Sequence, residues 1–238
     1  MIECPIKIES AGVFFHRKSS DKKKQKFWAL KDISLEVNDG EILGVVGHNG
    51  AGKSTLLKML TGVLPPDEGV VITNGTVTAL LSLGAGFLPD LSGRDNIYLS
   101  AMYMGMRRKF IDSIFDEIVE FSELAPFIED RVRNYSSGMK TRLGFSLAAH
   151  MNPDILIIDE VLAAGDKAFQ AKARAKMQEL LSKARAIVIV SHNTAYLQSM
   201  CDRILWLNQG REMSLGESQS TIEQYNEYML SSDLSGTK

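Results

Sequence analysis

Cysteine is scarce: the 238 residues hold two, Cys4 and Cys201. Two isolated thiols build no disulfide framework and match no metal-ligand spacing, so a reducing compartment is expected. The six prolines are scattered, and no low-complexity tract or internal repeat breaks the chain. No apolar run reaches the ~20 residues that a membrane span needs. The amino-terminal residues Met1-Ile2-Glu3-Cys4-Pro5 lack the basic and apolar regions of a secretion signal. Excess charge is also missing. A net −2 gives no bias toward nucleic acid, and no nucleic-acid partner is expected. Together these absences predict a cytosolic protein that works at a membrane only through a partner.

What is present is ordinary for a globular chain, with 45% apolar and 24% charged residues. The length suits one large α/β domain or two small ones. Strand-length apolar runs occur at 6–13, 33–37, 42–46, 70–73, 77–81, 155–159, 187–190 and 204–207. Several are β-branched on consecutive residues, as in strands covered on both faces, which predicts a largely parallel sheet. From Ser92 to about Met151 no strand pattern appears. Ser92-Gly93-Arg94-Asp95 reads as a capping box. Ile111, Ile114, Phe115, Ile118 and Val119 follow the spacing of an amphipathic helix, so this stretch is read as an inserted helical subdomain. Residues 218–230 are expected to form a docking helix with Ile222, Tyr225, Asn226 and Met229 inward, and 231–238 to fray.

Residues 47–55 read Gly47-His48-Asn49-Gly50-Ala51-Gly52-Lys53-Ser54-Thr55, a match to G-x-x-x-x-G-K-[ST]. Glycines in that pattern turn backbone N–H groups toward phosphate oxygens. Lys53 reaches the β- and γ-phosphates, and the Ser54 hydroxyl ligates Mg²⁺. An apolar strand precedes the loop and a helix start follows it, so the helix dipole faces the phosphates. Ile155–Glu160 is an apolar strand ending in two acids. Asp159 suits holding Mg²⁺ through water, and Glu160 suits a general base for the attacking water. A second such strand, 187–190, ends in Ser191-His192; a lone histidine reads as a structural side chain, but at this strand end His192 is expected to contact a γ-phosphate. His16, His48 and His150 are read as structural side chains. Tyr135-Ser136-Ser137-Gly138-Met139 precedes a helix and reads either as an anion site or as a simple cap. Residues 17–26 carry six positive charges and one negative. They read as a solvated loop between strands, with contacts to anionic lipid, a phosphorylated substrate or nucleic acid as alternatives.

These elements, in this order, resemble the ATP-binding subunit of ABC transporters over nearly the whole chain. The resemblance implies a P-loop NTPase core of ABC type with an antiparallel β edge, formed as a single domain. It matches residues 47–55 to Walker A, with Gly47, Asn49, Gly50, Ala51, Gly52, Lys53, Ser54 and Thr55 holding ATP. Residues 155–160 match Walker B with its catalytic Glu160. Ser136, Ser137 and Gly138 stand at the signature motif, Ala163–Asp166 at the D-loop, and His192 at the switch histidine. Phe15 takes the place of the adenine-stacking aromatic, with Phe14 competing for that role. Departures narrow the family. The signature reads Tyr-Ser-Ser-Gly-Met, and residues 76–98 hold no glutamine to link Mg²⁺ to the membrane partner; Ser82 is a candidate substitute. Leu81-Ser82-Leu83-Gly84-Ala85-Gly86-Phe87, Leu91–Ile97 and Asp159–Asp166 are similar to the branch that exports O-antigen, capsule or teichoic acid.

The implied activity is ATP hydrolysis with Mg²⁺ by a head-to-tail homodimer. Each ATP would lie between Lys53, Ser54, Asp159, Glu160 and His192 of one copy and Ser136–Gly138 of the other. The pair would drive a separate integral membrane permease that carries lipid-linked polysaccharide, at the cytoplasmic face of a bacterial inner membrane. The alternative is a soluble ABC ATPase with no permease, and a third reading is a nucleotide-binding regulator. With about thirty residues after Leu207, the chain is expected to lack its own glycan-reading domain.

Overall fold

The computed structural model describes residues 4–18, 24–80, 86–159 and 167–235. Contacts divide the chain into two compact units: Met1–Val77 with Asp154–Glu160 and Arg185–Lys238, and Thr78–Pro153 with Val161–Ala184. In chain order the elements are β1 (Ile6–Lys18), β2 (Lys24–Val37), β3 (Glu41–Val46), α1 (Lys53–Leu60), β4 (Glu68–Thr73) and β5 (Val77–Leu80), followed by α2 (Gly93–Tyr103), α3 (Arg108–Ser122) and α4 (Ser137–Ala149). β6 (Ile155–Asp159), α5 (Lys167–Lys183), β7 (Ala186–Val190), α6 (Thr194–Met200), β8 (Arg203–Asn208), β9 (Arg211–Glu217) and α7 (Ser218–Ser235) complete the chain.

In the first unit, five strands of a mixed sheet run in the order β6-β7-β3-β8-β9. β6, β7, β3 and β8 are parallel, and β9 pairs antiparallel to β8. Every residue of β7 is buried, as are Ile155–Ile158 of β6. Two covered faces explain the uninterrupted apolar runs. Val190 pairs with Val45 on one side and Asp159 on the other, so three strands end at one edge of the sheet. A second, antiparallel sheet has the order β2-β1-β4.

The structure corrects the expected loop at 17–26. Lys18 pairs with Lys24, Arg17 with Gln25 and His16 with Lys26, so residues 17–18 and 24–26 are paired strand, with residues 19–23 outside the described residues. Lysine-rich strands carry no apolar alternation by which a sequence reader would find them. β9 was not expected either. It is a half-exposed edge strand with the mixed text Arg-Glu-Met-Ser-Leu-Gly-Glu. α7 starts as expected and stays helical to Ser235 rather than fraying from residue 231. Ile222 is buried and Tyr225 packs on Trp206, whereas Asn226 is exposed, against expectation.

The second unit is helical. Ser92 caps α2 by accepting the Asp95 N–H at 3.0 Å. Ile111, Phe115, Ile118 and Val119 of α3 pack with Ile97, Leu143 and Leu147. The unit also includes α5, whose buried residues Phe169, Ala173, Met177 and Leu180 lie at helical spacing. Phe169 meets Phe121 and Phe145 edge-on, with ring centroids 5.8 and 6.0 Å away.

Candidate functional site

β3 runs directly into the glycine loop, and packing dictates its glycines. A Cβ on Gly47 would lie 2.4 Å from the Leu207 carbonyl oxygen. Gly52 has φ +110°, and a Cβ there would lie 2.7 Å from the Ala29 oxygen. The Ala51 carbonyl accepts the Gly210 N–H at 2.9 Å, tying the loop to the β8–β9 turn. α1 then begins at Lys53. Its first N–H groups have no side-chain cap at Gly52 and lack helical partners, as an anion site requires. The Lys53 ammonium donates to the carbonyl oxygens of Gly47 at 2.5 Å and His48 at 3.1 Å. It is thus held inside the turn of the loop.

A cleft of about 410 Å³ lies over this loop. Its polar lining is Asn49, Gly50, Gly52, Lys53, Ser54, Thr55, Asp159 and His192. Asp159 arrives from the end of β6, and His192 from the turn after β7. Neighbours fix the His192 backbone: Ser191 is buried and accepts the Asn193 N–H at 3.1 Å, and Asn193 caps α6. Ser54 and Asp159 bring a hydroxyl and a carboxylate to the same cleft, a sparse set of hard oxygen donors that fits Mg²⁺, an ion that keeps several of its waters.

Phe15, Phe27 and Ala29 of the hairpin complete the cleft. Phe15 and Phe27 are paired across β1 and β2, and both are exposed. Phe14 lies on the opposite face of the hairpin, edge-on to Trp28 at 5.3 Å and under the Lys26 ammonium. Phe27 is a cleft residue that the sequence alone did not reveal. Its signal was register: an aromatic placed where a hairpin sets it beside Phe15.

The remaining candidates fall elsewhere. In the second unit, Ser136 is the N-cap of α4 and accepts the Met139 N–H at 3.2 Å; Ser137 is exposed. The cap of the two sequence readings is therefore present. Around Gly138 only the Ser136 hydroxyl oxygen would come within 4 Å of a Cβ, at 3.8 Å. His150 is buried against Phe121 with Nδ1 2.6 Å from the Ser146 carbonyl; burial pushes its pKa down, and that carbonyl pulls the other way. Glu160, residues 163–166 and Ser82 lie outside the described residues.

The sequence profile of the ABC transporter family matches residues 30–163, which include the glycine loop and Asp159. The chain belongs to the ABC transporter family. It is 44% identical to the O-antigen export system ATP-binding protein RfbB of Klebsiella pneumoniae over 91% of this chain and 89% of that one. It is 46% identical to the teichoic acids export ATP-binding protein TagH of Lactococcus lactis over 89% of this chain, but spans 45% of that relative's length. In fold it resembles an ATP binding subunit of an ABC transporter, with TM-score 0.72, 21% identity and 93% of each chain covered. A similar likeness holds to a dimeric ATP-binding cassette with ADP and Pi, with TM-score 0.70 and 19% identity over 90% of this chain and 99% of that one. Among the described residues of this ABC protein, no helix is long and apolar enough to cross a membrane.

Proposed function

We propose that this ABC protein is the ATP-hydrolysing subunit of a bacterial exporter of lipid-linked polysaccharide. One observation carries the reading: Lys53, Ser54, Thr55, Asp159 and His192 meet in one cleft over the glycine loop. The relatedness to export ATPases for O-antigen and teichoic acid directs it to polysaccharide. The loop N–H groups and Lys53 bind the triphosphate, with Lys53 exchanging loop carbonyls for phosphate oxygens. Phe15 lies against the base. Mg²⁺ would be held by Ser54 and Asp159 and would supply charge neutralisation on the phosphates. Glu160 accepts a proton from water as its oxygen bonds the γ-phosphorus. The bond from that phosphorus to the β–γ bridging oxygen breaks, giving ADP and phosphate. His192 contacts the γ-phosphoryl group as charge moves onto it. Most of the acceleration is positioning and charge stabilisation.

Two copies pair head to tail, so that Ser136, Ser137 and Gly138 of one face the γ-phosphate bound by the other. The exposed Ser137 hydroxyl and the open space around Gly138 suit that role. ATP-driven closure and opening of the pair move an integral membrane permease, with the ATPase peripheral at the cytoplasmic face of the inner membrane. The test is to purify the chain with its membrane partner and identify the bound sugar lipid. Polysaccharide-lipid in the complex, with its surface display lost on deletion of the chain, is expected. ATP hydrolysis with no membrane protein bound and with surface glycan unchanged on deletion would instead favour a soluble ATPase.

A further inference from the structure

Crowding fixes the glycine loop at Gly47 and Gly52 but not between them. Gly50 has φ +83°, and no atom beyond its chain neighbours lies within 4 Å of where its Cβ would stand. Something other than packing must therefore hold the Asn49–Gly50 peptide plane. The loop's own histidine does so: His48 Nδ1 lies 2.6 Å from the Asn49 carbonyl oxygen. A carbonyl oxygen only accepts, so Nδ1 carries the proton and donates. In a planar trans peptide the N–H points away from the C=O, so pinning the Asn49 carbonyl aims the Gly50 N–H. Both residues line the cleft.

The imidazole is held in turn from behind. Asn208, the last residue of β8, places Oδ1 2.8 Å from His48 Nε2, and its Nδ2 donates to the Tyr228 hydroxyl at 3.2 Å. Tyr228 stands on α7 with its ring 5.2 Å from buried Trp206, which pairs with Val46 just before the loop. With His48 protonated, Nε2–H donates to Oδ1. With His48 neutral, the same amide turned over donates to Nε2 and accepts the Tyr228 O–H. Either arrangement keeps both contacts of the amide, and the mechanical link is the same.

We propose that Tyr228, Asn208 and His48 are positioning residues, a relay through which α7 sets the direction of the Gly50 N–H and hence the loop's affinity for nucleotide phosphates. This inference rests on the reading that the loop binds a nucleoside triphosphate. The full chain is titrated with ADP, and ATP turnover is measured, for wild type, Tyr228→Phe, His48→Ala, the double variant, and Gln224→Ala as an exposed control on the same helix. Tyr228→Phe should raise the Kd for ADP and the KM for ATP roughly 2- to 10-fold, as expected for one lost hydrogen bond, and leave kcat within twofold. In the His48→Ala background, Tyr228→Phe should change neither, because the relay is already cut. His48→Asn, which keeps a donor near the Nδ1 position, should recover part of the His48→Ala loss. The Gly50 amide resonance should move in Tyr228→Phe and stay put in Gln224→Ala, in nucleotide-free protein. An unmoved Gly50 resonance, or a Tyr228→Phe cost that is the same with and without His48, overturns the relay. A wild-type chain that binds neither ADP nor ATP overturns the nucleotide reading instead, and the Gly50 resonance still decides the relay.

Discussion

The two glycine-bearing turns of this protein obey opposite rules. Around Gly47 and Gly52 the protein's own backbone leaves no room for a methyl group. Around Gly138 there is nothing to clash with. The first turn is shaped from within at its two ends, since Gly47 and Gly52 answer to neighbours inside the fold. At the second, a missing side chain has no internal cause, and on the proposed dimer its cause is a phosphate from another copy. At Gly47 and Gly52 glycine records packing; at Gly138, on the proposed pairing, it would record an approach from outside.

The largest expected effect is on turnover. Glu160→Gln keeps shape but removes the base, so turnover should fall roughly 10²–10⁴-fold while ATP still binds. Near-normal hydrolysis by this variant would refute Glu160 as the base. Next comes Gly52→Ala, which should lose roughly 2–4 kcal/mol of stability from strain and overlap, read by urea unfolding without ligand. If it is neutral, the contrast between the turns is broken. Gly138→Ala should do the reverse. Unliganded stability should stay level or rise by up to ~1 kcal/mol, as for alanine replacing glycine in a helix. ATP-induced dimers, followed by light scattering in the Glu160→Gln background, should weaken. Full-strength dimers from both Gly138→Ala and Ser136→Glu would leave the second turn without a role in pairing.

The smallest effect separates the units by pH. Burial lowers the His150 pKa, so the folded state favours the neutral ring. That contribution is complete above the ordinary imidazole pKa of about 6.5 and is lost as pH falls from there through the lower folded value. Urea midpoints at pH 7.5 and 5.5 should therefore converge in His150→Gln relative to wild type. An unchanged gap would remove His150 as a source of acid sensitivity.

What was legible from sequence divides along physical lines. β3, β6 and β7 announced themselves because parallel strands buried on both faces leave runs such as Ile155–Ile158. The glycine loop was legible because its chemistry is local, needing only consecutive residues. Phe27, β9 and the strand pairing of residues 24–26 were not. Each depends on a partner elsewhere in the chain, and register leaves no mark on one strand's text. α5 went unread because one of its inward positions is Ala173 and its other face is lysine-rich, which dilutes the apolar stripe. The His48–Asn208 contact was invisible for the same reason as Phe27: Asn208 lies 160 residues away.

The cross-strand pair of Phe15 and Phe27 has a consequence for which nucleotide the cleft accepts. Among the described residues that the hairpin contributes, the cleft meets two phenyl rings and the alanine at 29. Such a surface stacks on any flat heterocycle, and neither side chain type carries a donor or acceptor to read its edge. The hydrogen-bonding groups cluster at the loop instead, where on the proposed function they would count phosphates. Selection should therefore be strict for the length of the phosphate chain and lax for the base. GTP should compete with ATP within about tenfold, a gap of ~1.4 kcal/mol, while a monophosphate of either base binds weakly.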